Sequence, residues 1–254
     1  ITALAGTALP PLVIVFAGIL APVAVCMLVG YAMERIAYRP LRGAPRLAPL
    51  ITAIGISIIL QHVALLVWSR NPLAFPQIIP LASFEIGGAI ITGVQIAIIL
   101  TSVLMMGGLT LLVYRTKLGI AMRATSQNPQ IAGLMGIDVD RIIGFTFVVG
   151  AALGAVAGVM VGTYYGIAHY SMGSLLGLKA FSAAVLGGIG NLAGAMLGGI
   201  LLGIVEALAA GYIGDLTNNV FGSNYQDVFA FLVLIAVLVF RPSGLLGERV
   251  GDRA

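Results

Sequence analysis

The chain has 254 residues, of which 60% are hydrophobic and 9% charged, with a formal net charge of +4 and a mean hydropathy of +1.10. Apolar windows of about 20 residues recur along it, which excludes a water-soluble globule and makes the chain an integral membrane protein. Cys26 is the only cysteine and the two histidines lack metal-ligand spacing, so a disulfide framework and a metal enzyme are excluded; eleven of the thirteen basic residues abut apolar spans, which speaks for membrane orientation rather than nucleic acid.

The chain opens on Ile1 inside apolar sequence, without the charged region and cleavage site of a signal peptide, so a further N-terminal part is expected ahead of it. Apolar runs predict membrane helices over about Leu9 to Met33, Leu47 to Trp68, Ala89 to Tyr114, Ile142 to Ile167, a pair within Leu175 to Ile213, and Val228 to Phe240. Backbone groups in hydrocarbon must be paired, and these runs are too continuously apolar for the alternating strands of a barrel. The expected fold is therefore all-α: one polytopic helical membrane bundle over residues 1–254.

After the first span, Arg35, Arg39, Arg42 and Arg46 form a basic loop with few acids nearby, and Arg35 and Arg39, one turn apart, are expected to contact lipid phosphate or an acidic partner surface. Gln61 and His62 beside Trp68, and later Tyr164, Tyr165 and Tyr170, predict interfacial belts. A polar stretch from Arg115 to Arg141 then interrupts the apolar sequence. Asn128 is a helix cap signal, Pro129 a start and Gly136 a stop, and between them Gln130, Ile131, Ala132, Leu134 and Met135 form a short, partly apolar knob. A helix this short is marginal in water, so the knob, with Arg123 before it and Asp138 after it, is expected to be received by a soluble partner.

Gly150, Gly154, Gly158 and Gly162 recur every four residues, as do Gly190, Gly194 and Gly198, and small residues at this spacing are expected to let helices pack closely. The basic patches at Arg35–Arg46, Arg115–Arg141 and Arg241–Arg253 are expected in the cytoplasm, the C-terminus included. Four crossings must then follow Arg141, and two short ones must fit within Leu175 to Ile213, around the glycines Gly187, Gly188 and Gly190. This predicts either a broken or re-entrant pair lining a translocation path, with Lys179, Gly187, Gly188, Gly190 and Glu206 as its candidate wall, or a plain tight hairpin. A charge at the position of Glu206 costs about 2.5–3.5 kcal/mol in hydrocarbon, so Glu206 should face protein or water, or be solvated at the rim. Lys179 is its candidate partner, against an expected mismatch in height of about 7 Å. No paired carboxylates, His/Asp set or nucleophile elbow is present in any span, and no enzyme is expected.

Four stretches carry a resemblance. Glu34-Arg-Ile-Ala-Tyr-Arg-Pro-Leu-Arg42, Arg46-Leu-Ala-Pro-Leu-Ile-Thr-Ala-Ile-Gly-Ile-Ser57, Gly133-Leu-Met-Gly-Ile-Asp138 and Lys179-Ala-Phe-Ser-Ala-Ala-Val-Leu-Gly-Gly-Ile-Gly190 resemble signatures of the LivH-type permease subunits of branched-chain amino-acid ABC importers. The resemblance runs from about Ala32 to Gly247. It implies half of a transmembrane pair with a second, LivM-like permease, two cytoplasmic ATPases and a periplasmic binding protein, in a bacterial inner membrane, with leucine, isoleucine and valine as cargo. The stretch Lys117 to Asp140 would be the coupling loop. ATP and magnesium would belong to the ATPases, since no GxxxxGK[ST] loop occurs here. Two alternatives stay open: the same machinery carrying urea or short amides, and an ion-coupled transporter acting alone.

Overall fold

A computed structural model describes residues 11–45, 48–68, 70–75, 83–86, 89–216 and 225–247. It divides into two compact units, residues 1–171 and 172–254.

In the first unit, α1 (Pro11–Met33) runs on through a π-helical turn, Glu34–Tyr38, and a 3₁₀ turn, Arg39–Leu41, before α2 (Ala48–Val67). Strand β1 (Leu73–Ala74) follows, then a hairpin of β2 (Ser83–Ile86) and β3 (Ala89–Thr92). The helix expected from Ala89 therefore begins later, as α3 (Gly93–Arg115). Its start is fixed by a capping box in which Gln95 N–H donates to Thr92 Oγ1 and Thr92 N–H donates to the Gln95 side chain. Two short helices, α4 (Lys117–Gln127) and α5 (Pro129–Leu134), precede α6 (Val139–Tyr165) and β4 (Ile167–Ala168).

Helix α6 packs on α1 through small residues, but not through the expected stripe. At Gly30 an added Cβ would lie 2.6 Å from Ala151 Cβ and 3.1 Å from the Phe147 carbonyl oxygen, so α1 approaches α6 at backbone distance there. Gly150, Gly154 and Gly158 have no such neighbour within 4 Å, while Gly162 meets the Phe75 ring. Phe75 is placed by the small β1–β4 sheet, in which Leu73 pairs with Ala168 and Phe75 N–H donates to Gly166 O at 2.9 Å. Two loops expected on the same side of the membrane, after α2 and after α6, are thus hydrogen-bonded together.

In the second unit, α7 (Met172–Gly187), α8 (Leu192–Leu216) and α9 (Gln226–Phe240) pack around Leu186, Leu202 and Ala230. At about 1.5 Å per residue, α7 and α9 are shorter than a hydrocarbon core of about 30 Å, whereas α8 spans it. Of the two crossings expected to be short, only α7 is. Neither helix is broken; they form a hairpin whose reversal uses left-handed backbone at Gly188 (φ +107) and Gly190 (φ +96). The segment after α9 closes over the reversal: Leu245 N–H donates to Leu186 O at 2.9 Å, Leu246 N–H to Gly187 O at 3.0 Å, and Asn191 Nδ2 to Leu246 O at 2.9 Å. Among the described residues, five helices are long and apolar enough to cross a membrane.

Candidate functional site

The polar stretch after α3 is a two-helix handle held by caps at every end. Thr116 turns the chain: its hydroxyl donates to Leu112 O and accepts from Gly119 N–H at 3.0 Å, starting α4. The Arg123 guanidinium lies 5.2 Å from the centre of the Tyr114 ring, tying α4 back to α3. Asn128 then serves two helices. Its N–H closes α4 on Ala124 O, and its side-chain oxygen accepts from Gln130 and Ile131 N–H at 3.0 and 3.1 Å to open α5 at Pro129.

Helix α5 stops where Gly136 takes φ +84, with Ile137 N–H donating to Ala132 O at 3.1 Å. Asp138 opens α6 by accepting from Arg141 N–H and pairing with the Arg141 side chain at 2.9 Å. Ala132 is buried, but Ile131, Leu134 (87% exposed) and Met135 (80%) are not. The knob expected from sequence is present, and it projects from α4, a helix the sequence reading left out.

A charge network braces the handle's far end. Asp140, in the first turn of α6, binds both Arg39 and Arg42, and Arg42 also binds Glu34, which is only 3% exposed. Arg39 and Arg42 thus find their acid within the chain, about a hundred residues further on. Arg35 donates to Tyr31 OH at 2.9 Å beside a cleft of about 460 Å³. Replacing Arg42 with Gln leaves Glu34 buried without its only ionic partner among the described residues. This is expected to cost about 3–5 kcal/mol and to show as a lower melting temperature of the detergent-solubilised protein.

The second unit gathers a different set. Lys179 Nζ lies 3.1 Å from Glu206 Oε1 and 2.7 Å from Asp227 Oδ1, so three helices each contribute one charge. Glu206, 20% exposed, is thus paired with Lys179, the partner expected for it. Asp227 was missed because the apolar run starts at Val228; an acid in the first turn of α9 was the available signal. Gly187 and Gly188 have no room beside them: a Cβ on Gly187 would fall on the Gly194 backbone, and one on Gly188 on Gly247. Gly194 and Gly198 pack against backbone of α7, Gly190 is open, and the reversal glycines knit the hairpin. Gln61 and His62 are satisfied inside α2, by Ser57 Oγ and Ile58 O. No cluster of His, Cys, Asp and Glu suited to a metal occurs among the described residues.

Residues 1–238 match the profile of the family described as branched-chain amino acid transport system, permease component. The chain belongs to that family. Among its permease relatives, BraD of Pseudomonas aeruginosa, a high-affinity branched-chain amino acid transport system permease protein, is 45% identical over 224 residues, covering 86% of this chain and 70% of BraD. The LivH permease proteins of Salmonella typhimurium and Escherichia coli K12 are each 41% identical over 239 residues, covering 92% of this chain and 75% of theirs. No solved structure matches the chain. A branched-chain amino acid transport permease of this family is a multi-pass helical membrane protein, and both the handle and the charge cluster lie within the span that the family profile matches.

Proposed function

We propose that the chain is a permease subunit of an ATP-driven importer of leucine, isoleucine and valine in a bacterial inner membrane. It builds the translocation path with a second, LivM-like permease, receives cargo from a periplasmic binding protein, and takes its motion from two cytoplasmic ATPases that bind ATP and magnesium. The handle is the coupling element, contacting an ATPase through Ile131, Leu134 and Met135 and aimed by Arg123, Asn128, Pro129, Gly136 and Asp138. The C-terminus shares its side of the membrane. Lys179, Glu206 and the open Gly190 line the path.

The observation that carries this reading is the knob itself. Leu134, which ends a helix of six residues, and Met135, which follows it, are left almost wholly exposed, and both helix ends are capped. Such a helix is too short to be stable on its own hydrogen bonds, and exposed apolar side chains on a rigidly held turn are what a receiving groove requires. Transmission then has a route: the handle leads directly into α6, and Asp140 locks α6 to the end of α1.

The test is to purify the full-length, tagged protein from its native membrane and identify what stays bound in detergent. A second permease and two ATPases are expected. Recovery of the chain alone, or with an ion-coupled partner only, contradicts the proposal.

A further inference from the structure

We propose that the cleft between the end of α1 and the start of α6 binds an anionic glycerophospholipid, with the headgroup phosphate at Arg35 and Arg141 and the start of an acyl chain on Phe145 and Val148. The proposal goes beyond the import reading and does not depend on which solute the chain carries.

The cleft has a volume of about 460 Å³ and is walled by one face of each helix. On α6, Arg141, Gly144, Phe145 and Val148 follow at steps of three, one and three residues, a single helical stripe. Tyr31 and Arg35, four residues apart, face it from the end of α1 and the turn that continues it. The α6 stripe changes character along its length. At about 1.5 Å per residue, Phe145 and Val148 lie about 6 and 10 Å further along the axis than Arg141. The segments Gly18–Leu41 and Val139–Tyr165 are both long and apolar enough to cross a membrane, and Arg35 lies near the end of the first, Arg141 at the start of the second. Guanidinium groups therefore stand at headgroup level, and the apolar wall leads from them into the hydrocarbon.

The charges set the sign of the ligand. Arg42 is held by Glu34 and Asp140, Arg39 by Asp140, and Arg141 meets Asp138 through Nε at 2.9 Å. Arg35 has no carboxylate within 4 Å among the described residues, and its guanidinium donates to Tyr31 OH at 2.9 Å. The four arginines 35, 39, 42 and 141 against Glu34, Asp138 and Asp140 leave one positive charge. The Arg141 side chain is 87% exposed and, with Nε turned to Asp138, keeps its terminal donors for a ligand.

A phospholipid fits both parts. The unesterified phosphate oxygens accept from the Arg35 and Arg141 forks, a geometry that planar guanidinium groups favour, and Tyr31 OH has its own proton to give. The acyl chain then follows Phe145 and Val148. Each carboxylate of the cluster already faces an arginine, so the ammonium of a zwitterionic lipid finds no free partner. A lone phosphate ion, or an acidic protein surface, has no use for a wall that leads into the membrane.

The experiment is native mass spectrometry of the full-length protein in detergent, given equal amounts of phosphatidylglycerol and phosphatidylcholine with the same acyl chains, together with its melting temperature with and without each lipid. Phosphatidylglycerol is expected to be retained over phosphatidylcholine and to raise the melting temperature. Arg35→Gln and Arg141→Gln, one on each wall, are each expected to weaken its retention about 5- to 10-fold and to shrink that rise, with the lipid-free melting temperature unchanged. Phe145→Ser should lower retention of the long-chain lipid and spare a dihexanoyl analogue, and millimolar glycerol phosphate should displace neither. Equal retention of the two lipids by the unsubstituted protein overturns the proposal, as does full retention of phosphatidylglycerol in both glutamine variants; if those variants instead lose copurifying subunits, the cleft docks protein. Displacement by glycerol phosphate marks a site for soluble phosphate and also overturns it. Should neither glutamine variant survive purification, the arginines are structural and the proposal fails. An equal fall for long and short chains in Phe145→Ser removes the acyl wall and with it the proposal.

Discussion

Leucine in place of Gly198 prevents the second unit from closing. A Cβ at this position would overlap the Ala183 carbonyl oxygen and lie 2.8 Å from Gly187 N, so the obstacle is the backbone of α7 rather than a side chain that can turn away. Relief requires separating α7 from α8, which opens the core around Leu186 and Leu202. Overpacking a core with extra methylenes typically costs about 1–3 kcal/mol, and a backbone clash exceeds what side-chain adjustment absorbs. Leucine at Gly199 meets Ala183 Cβ at an ordinary 3.8 Å, and at Gly203 it meets nothing within 4 Å. The expected result is loss of the monodisperse peak in size-exclusion chromatography for Gly198→Leu, with Gly199→Leu and Gly203→Leu both retained. A folded Gly198→Leu protein would mean that α7 and α8 do not pack as described.

Valine in place of Gly136 should separate ATP hydrolysis from transport. Gly136 sits at φ +84 with open space around it, so the substitution acts on the backbone alone. A β-branched residue is strained there by about 1–3 kcal/mol, and the turn that ends α5 and aims Leu134 and Met135 is lost or displaced. The brace at Asp140 is untouched, so the membrane part still folds. Reconstituted with the proposed ATPases, Gly136→Val is expected to show ATP hydrolysis with uptake reduced about tenfold or more, and Gly136→Asn, which tolerates left-handed backbone, to keep most of it. Full uptake by the valine variant would remove the handle from the mechanism.

What the sequence made legible was local. The caps at Asn128, Pro129 and Gly136 act over a few residues, and the structure places each where the residue types require. Long apolar runs gave the spanning helices for the same reason. Helix α4 escaped because its eleven residues are of mixed polarity and no apolar run announces them. The β2–β3 hairpin escaped because Ala89–Thr92 reads on smoothly into the apolar run of α3; Gly87-Gly88 between two short strands and the Thr92/Gln95 capping pair were the signals that mark it.

Apart from the pairing of Lys179 with Glu206, contacts across the chain were not legible. Nothing near Arg39 and Arg42 announces Asp140, and nothing near Lys179 announces Asp227. The glycine stripe shows a third limit. A repeat of four residues in a helix of 3.6 advances about 40° per step, so from Gly150 to Gly162 it turns through about 120°. It leaves an open face at Gly150, Gly154 and Gly158 and reaches the packed face only at Gly162. The contact with α1 follows Gly144, Phe147 and Ala151 instead.

The measurement that tests the central claim most directly is uptake of labelled L-leucine into proteoliposomes containing this chain, with and without the ATPases and internal ATP, the binding protein supplied outside. The account predicts accumulation only when ATPases and ATP are both present, and its loss when Leu134 and Met135 are replaced by Asp. Accumulation by this chain without ATPases, driven by an ion gradient and indifferent to those two residues, would contradict it.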